Sequence, residues 1–244
     1  MKHIGIVACS AEGAALCYRT IAQSAERSLG DYNHPRVTLH SIPMAAWMPA
    51  LNAGDYRTVG ELMLESAQVV ARAGADFAIC PDNTVHLSWQ HFIERSPIPW
   101  LHIGDVVAAE AKRQGWKTAG LLGTRFTMTG SMYRDVFQHH GMKAMPPLSR
   151  DQEIVDQIIW DELVHGKFPE SSRLRYNEII QRLKEAGCDC VILGCTEIPL
   201  LVRADDCPLP TLDSTRLLAM AAVRHAIGEQ EPGDKSVPFA VANG

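Results

Sequence analysis

Short apolar runs alternate with longer amphipathic stretches along the whole chain. Residues 4–8 read as a buried strand, and 14–25 as a helix with Leu16, Tyr18, Ile21 and Ala22 at helical spacing. Residues 37–41 predict a second strand, 56–73 an amphipathic helix, 76–80 a strand, and 81–86 the loop that ends it. A short strand at 100–103 and a helix at 105–115 follow. The alternation then restarts, with a strand at 118–122, helices at 130–140, 152–165 and 171–186, and an apolar strand ending at Leu193. A short strand to Leu212 leads into Asp213-Ser214-Thr215, which caps a helix over 216–227. The segment 42–48 is an apolar loop or short helix whose simplest role is core packing. Strands alternating with helices predict an α/β fold with mainly parallel sheets and functional residues at the carboxyl ends of strands.

The chain also repeats itself. Residues 73–84 read Ala-Gly-Ala-Asp-Phe-Ala-Ile-Cys-Pro-Asp-Asn-Thr, and 186–197 read Ala-Gly-Cys-Asp-Cys-Val-Ile-Leu-Gly-Cys-Thr-Glu. Both carry Ala-Gly-x-Asp-x-x-Ile, and Gly74 precedes Asp82 by the same eight residues that separate Gly187 from Cys195. Thirteen residues separate Gly5 from Tyr18, and thirteen separate Gly120 from Tyr133. A period of about 115 residues is too long for a solenoid and suits a duplicated α/β unit. Asp82 and Cys195 then hold equivalent places in the two copies. The expectation is two pseudo-twofold-related domains, 1–100 plus 213–228 and 101–212, with the active site in the cleft between them. Residues 229–244, rich in Gly, Pro and polar side chains, are expected to be a poorly ordered tail.

Composition narrows the function. Of 244 residues 46% are hydrophobic and 21% charged, enough for a sizeable core. A net charge of −5 without a basic run argues against nucleic acid or an anionic membrane as partner. No apolar stretch approaches the roughly 18 residues of a membrane span, and the start lacks a signal-peptide pattern. The seven cysteines lie mostly in or beside apolar runs, which makes a disulfide framework improbable and the cytoplasm the expected compartment. Cys188 and Cys190 alternate on a strand and read as packing, so no metal site is expected. The turn 9–13 is a plausible anion cradle at a helix N-terminus, but it has no Walker lysine or dinucleotide fingerprint. Cys195, at the end of a strand and ahead of a possible helix, stands where a thiolate can be favoured.

These residues together resemble the aspartate/glutamate racemase superfamily over nearly the whole chain. The carriers are Ile4-Gly5-Ile6-Val7 with Tyr18-Arg19, the loop Asn83-Thr84-Val85-His86, the run 121–128, and above all Ile192-Leu193-Gly194-Cys195-Thr196-Glu197-Ile198-Pro199. Asp213-Ser214-Thr215 resembles the family's closing Asp-Thr-Thr. The resemblance implies a cofactor-independent isomerase, expected as a homodimer. It would take an α-proton from a small carboxylate or amino-acid substrate with one residue and return it with another. The family's usual Pro-Cys-Asn-Thr is Pro81-Asp82-Asn83-Thr84 here, so the catalytic pair becomes Asp82 and Cys195. Its opening Gly-Gly turn is Ala8-Cys9-Ser10, and the histidine common in the closing helix is Leu218. By the same resemblance Ser10, Asn83, Thr84, Thr127 and Thr196 would bind the substrate. Glu197 would orient the Cys195 loop or the substrate ammonium, and Arg125 or Lys167 would meet a distal carboxylate.

Asp for Cys changes the chemistry. Ordinary pKa values of about 3.9 and 8.5 make the carboxylate a weaker base by roughly 4.6 units, or about 6 kcal/mol. A racemase working both ways favours matched bases. A Cys-dependent decarboxylase or isomerase of a dicarboxylic acid, or a noncatalytic carboxylate-binding relative, are the alternatives.

Overall fold

The computed structural model describes residues 1–229, so the expected tail lies almost wholly outside the described residues. The chain divides into two compact units, Met1–Val106 joined by the chain from Thr215, and Val107–Ser214.

The first unit opens with β1 (Ile4–Ala8) and α1 (Ala11–Leu29), followed by β2 (Val37–Ser41), α2 (Met44–Ala53), α3 (Tyr56–Arg72) and β3 (Phe77–Ile79). A 3-10 turn, Thr84–Ser88, leads into the four-residue α4 (Trp89–Phe92), and α5 (Ile103–Arg113) carries the chain into the second unit. The strands form a parallel sheet in the order β2-β1-β3. All of β1 is buried, which its unbroken apolar run requires of a central parallel strand. The apolar segment 42–48 enters α2. Trp47 is fully buried there, its indole N–H donating to the Ile42 carbonyl at 3.0 Å. The expected strand at 100–103 shrinks to one bridge, Ala78 with Trp100, because α5 begins at Ile103.

The second unit repeats the theme with β4 (Thr118–Leu122), α6 (Arg125–Thr129), α7 (Met132–His139), β5 (Lys143–Met145), α8 (Ser149–Asp161), α9 (Glu170–Glu185), β6 (Cys190–Leu193), α10 (Ile198–Leu201) and β7 (Thr211–Asp213). Its parallel sheet runs β5-β4-β6-β7. The last helix, α11 (Ser214–Ile227), returns the chain to the first unit. Two elements of this unit escaped the sequence pattern: β5 has only three residues, and α6 is a five-residue turn that Gly130 separates from α7. The repeat also diverges at its tyrosines, since Tyr18 is exposed on α1 and Tyr133 is fully buried on α7. Among the described residues no helix is long and apolar enough to cross a membrane.

The repeated Ala-Gly-x-Asp motif has one physical meaning in both units. Gly74 and Gly187 stop α3 and α9 with φ of 92° and 94°, a left-handed conformation that glycine adopts without a Cβ penalty. Two residues later an aspartate ties the strand to the start of its neighbour. Asp76 accepts the His3 N–H at 2.6 Å and donates its own N–H to the His3 carbonyl at 2.8 Å. Asp189 accepts the N–H groups of Lys117 and Thr118 at 2.7 and 2.9 Å and donates to the Thr118 carbonyl at 2.8 Å. The other repeated glycines let a helix lie against the central strand. A Cβ on Gly5 would come within 2.7 Å of Val70, and one on Gly120 within 2.8 Å of Leu183.

Behind β3 lies an aromatic cluster. His86 stacks on Trp89 with ring centroids 5.8 Å apart and meets His102 edge-on at 4.9 Å. Burial pushes the His86 imidazole down to about 4. Burial, then the neighbouring His86, holds His102 well below the ordinary histidine range. His102 Nδ1 accepts the Asp105 N–H at 3.3 Å and so bears no proton; its 3.5 Å approach to the Asp105 carboxylate is not an ion pair.

Two predictions follow from these contacts. Gly187→Ala must hold an L-residue at φ of 94°, and should lower stability by about 1 kcal/mol. The urea midpoint should drop with an unchanged slope; an unaltered midpoint would show that the turn relaxes freely. The two histidines stay neutral in the folded protein while their unfolded counterparts protonate near pH 6.5. Their contribution is complete above that pH and is lost as pH falls toward the folded values. Below pH 6.5 stability should fall with a slope that approaches roughly 1.4 kcal/mol per pH unit for each histidine toward pH 5, and His102→Gln should flatten it.

Candidate active site

In the first unit the site is built on the ends of β1 and β3. β3 stops at Ile79, and Cys80-Pro81 carries the chain to Asp82. β1 stops at Ala8, and Ser10 caps α1, its hydroxyl accepting the Gly13 N–H at 3.2 Å. The Asp82 carboxylate lies at this helix N-terminus. The Cys9 N–H donates to its Oδ2 at 3.0 Å, and the Ser10 N–H reaches Oδ1 and Oδ2 at 3.3 and 3.4 Å. These donors complement an ionised carboxylate, which can only accept, and the dipole of a 19-residue helix favours negative charge at that point. The anion cradle expected at 9–13 exists, and these two N–H groups hold the protein's own carboxylate.

Two buried thiols complete this end. Burial, hydrogen bonding to Cys80 and the Asp82 charge push the Cys9 thiol well up, so it is a neutral donor beside a carboxylate. The Cys80 Sγ lies 3.9 Å from the Asp82 carbonyl oxygen. Asn83 is buried and leads into the 3-10 turn that begins at Thr84. The His86 Nδ1–H donates to the Asp82 carbonyl at 3.0 Å, which fixes the backbone behind the carboxylate. His86 Nε2 is left buried without a hydrogen-bond partner.

In the second unit the site rests on β4 and β6, whose ends approach backbone to backbone. The Gly194 N–H donates to the Leu122 carbonyl at 2.7 Å, and a Cβ on Gly194 would lie 2.8 Å from that oxygen. A Cβ on Gly123 would lie 2.9 Å from the Gly194 carbonyl, so only glycine fits at either place. Thr124 caps α6 by accepting the Thr127 N–H at 3.4 Å, while Asp156 on α8 accepts the Arg125 N–H at 2.7 Å. The cap sets Thr127 against Gly194, whose Cβ would meet the Thr127 methyl at 3.3 Å.

Cys195 follows Gly194 and is partly exposed, whereas Thr196 and Glu197 are buried. The Cys195 thiol donates to Glu197 Oε2 at 3.0 Å, and the Thr196 hydroxyl donates to the same oxygen at 2.7 Å. The expectation of a helix N-terminus assisting this sulfur needs correction. α10 has only four residues, and the thiol donates to a carboxylate. The long helix N-terminus belongs to Asp82 instead.

Within its own unit, each half therefore assembles most of its expected residues: Ser10 and Asp82 with Asn83 next in sequence, and Thr127 with the run Cys195, Thr196 and Glu197. The two cations differ. Arg125 is exposed with its guanidinium 4.9 Å from the Phe126 ring centre, and Lys167 is exposed in the turn after the 3-10 segment Leu163–His165. Sequence reading passed over Cys9 as a neighbour of Asp82 and Thr124 as the cap that positions Thr127. A hydroxyl directly before a short apolar turn was the available signal for Thr124.

The chain as a whole is similar to known proteins. A family model for Asp/Glu/hydantoin racemases matches residues 4–222. The broad specificity amino-acid racemase RacX of Bacillus subtilis is 22% identical over 200 residues, covering 79% of this chain and 82% of that protein. A crystal structure of an Asp/Glu racemase candidate from Yersinia pestis is 33% identical with a TM-score of 0.84, covering 93% of this chain and all of the other. PH1733, an aspartate racemase homologue from Pyrococcus horikoshii OT3, is 26% identical with a TM-score of 0.81 over the same shares.

The contrast in exposure gives a direct test of the thiols. Under native, reducing conditions iodoacetamide should modify Cys195 and Cys207 well before the buried Cys9, Cys17 and Cys80, as read by peptide mass mapping. Labelling of Cys9 as fast as Cys195 would contradict the described burial.

Proposed function

The chain belongs to the Asp/Glu/hydantoin racemase family and is an isomerase; from that premise we propose that it racemises or epimerises an acidic or related α-amino acid without a cofactor, using Asp82 and Cys195. The observation that carries the reading is the pair of equivalent strand ends. One presents a carboxylate held by N–H donors and the other a thiol held by a carboxylate, eight residues after matching glycines.

The hydrogen bonds suggest a division of labour. Asp82, complemented by donors, is the base that removes the α-proton in one direction. Cys195, protonated and oriented by Glu197, is the acid that delivers a proton to the planar carbanion. In the reverse direction Cys195 first gives its proton to Glu197 or solvent and Asp82 takes one up from solvent; the thiolate then removes the α-proton and the Asp82 carboxylic acid delivers its proton to the carbanion. Ser10, Asn83, Thr84, Thr127 and Thr196 supply hydroxyl and amide groups for the α-carboxylate, ammonium and carbanion charge. Arg125 and Lys167 are the cations proposed for a second carboxylate, Arg by a bidentate contact. We place the enzyme in the cytoplasm and as a homodimer, the latter measurable by light scattering.

The reading predicts that solvent deuterium enters the α-position of the product in heavy water, followed by NMR across a panel of acidic and neutral amino acids. Cys195→Ser and Asp82→Asn should each slow exchange by about 100-fold or more. Exchange unaffected by either change would exclude that residue as a proton carrier. Carbon dioxide release without exchange would favour the decarboxylase reading, to which the carboxylate at position 82 lends some support.

A further inference from the structure

Proton transfer uses only part of what surrounds Asp82. The Cys9 Sγ, the Cys80 Sγ and a carboxylate oxygen of Asp82 all lie within 4.8 Å of one another. The fold, rather than local sequence, makes this cluster. β1 and β3 pair in parallel from Ile4 with Phe77 to Ile6 with Ile79, so their carboxyl ends emerge side by side. Cys80 is the residue after β3, and Cys9 follows β1 just before the Ser10 cap.

We propose that Cys9, Cys80 and Asp82 form a site for a thiophilic divalent cation of the Zn2+ class, with three protein ligands and one position open to solvent or substrate. Four arguments support it. Two thiolates and a carboxylate make a donor set suited to zinc, and three protein ligands with an open fourth position is a common zinc arrangement. In a tetrahedral site with Zn–S of about 2.3 Å and Zn–O of about 2.0 Å, the ligand atoms stand roughly 3.5–3.8 Å apart. Atoms already within 4.8 Å need to close by no more than about 1.3 Å. With both thiols ionised the three ligands carry three negative charges, so the bound dication leaves the site at −1, at the N-terminus of α1 where negative charge is favoured. The Cys9 and Ser10 N–H groups already orient the carboxylate, as outer-shell donors do in metal sites. The cation enters past Asp82, which is partly exposed, while both thiols are buried. Each metal–sulfur bond forms as a thiol releases its proton to solvent, with no change of oxidation state.

The consequence for turnover rests on the proposed role of Asp82. A metal on that carboxylate removes the base, so the ion would be a reversible inhibitor. Binding itself does not depend on the racemase reading.

The test uses the full-length protein, reduced and stripped of metal, titrated with ZnCl2 and separately with CdCl2. Bound zinc is measured by equilibrium dialysis, and the cadmium–thiolate band by ultraviolet difference spectra. One ion per chain is expected. Affinity should fall by more than about 100-fold in Cys9→Ser and in Cys80→Ala, beyond the 10–100-fold typical of losing an outer-shell group. Cys195→Ala and Cys207→Ser should bind like the wild type. Having two ligand variants, each checked for folding by circular dichroism, guards against one of them failing to fold. Absence of stoichiometric binding, binding unchanged in both ligand variants, or binding lost in Cys195→Ala would overturn the site. Stoichiometric binding that leaves turnover intact would confirm the site and count against Asp82 as the base.

Discussion

The placement of Asp82 and Cys195 depends on a backbone clamp made twice. A helix ends in a left-handed glycine, and an aspartate two residues later accepts N–H groups at the start of the unit's central strand. The clamp fixes where β3 and β6 begin relative to β1 and β4, and therefore where they stop. A one-residue slip in a strand would turn Asp82 or Cys195 to the other face of its sheet. The close packing at Gly5 and Gly120 serves the same end by pressing α3 and α9 onto the central strands.

On that common frame the two units present opposite chemistry. At one strand end backbone N–H groups and a long helix meet a carboxylate; at the other a buried carboxylate meets a thiol. Ordinary basicities of Asp and Cys differ by roughly 4.6 units, or about 6 kcal/mol, too much for a balanced two-way proton exchange unless each group is tuned by its surroundings. The surroundings differ in the required sense of assigning resting protons. N–H donors suit a base that is already ionised, and the Glu197 acceptor suits an acid that already holds its proton. The neutral Cys9 thiol beside Asp82 adds a further donor at the same carboxylate.

Much of this was legible in the sequence, for identifiable reasons. The apolar runs of parallel strands are nearly continuous, so β1, β4 and β6 stand out, and the repeated Ala-Gly-x-Asp falls once in each unit. The start of α11 at Ser214 and the buried Trp47 follow from local chemistry. The lock on Asp82 is different, because Cys9 and Ser10 lie more than seventy residues away and reach it only through the β1–β3 register. For the same reason the approach of Cys9 to Cys80, seventy-one residues apart, leaves no local mark in the sequence. The short length of α10 was equally hidden, since the polar residues after Cys195 suggest a helix without indicating how soon it stops.

The central claim is that positions 82 and 195 are equivalent and carry the proton between them. Its most direct measurement is the pair of kcat values, one for each enantiomer of a turned-over substrate, compared between the wild type and Asp82→Cys. If the account holds, the variant with two thiols remains active and its two kcat values move closer together, because the bases are now matched. An Asp82→Cys protein that is folded but inert, or one whose directional imbalance is unchanged, would contradict it.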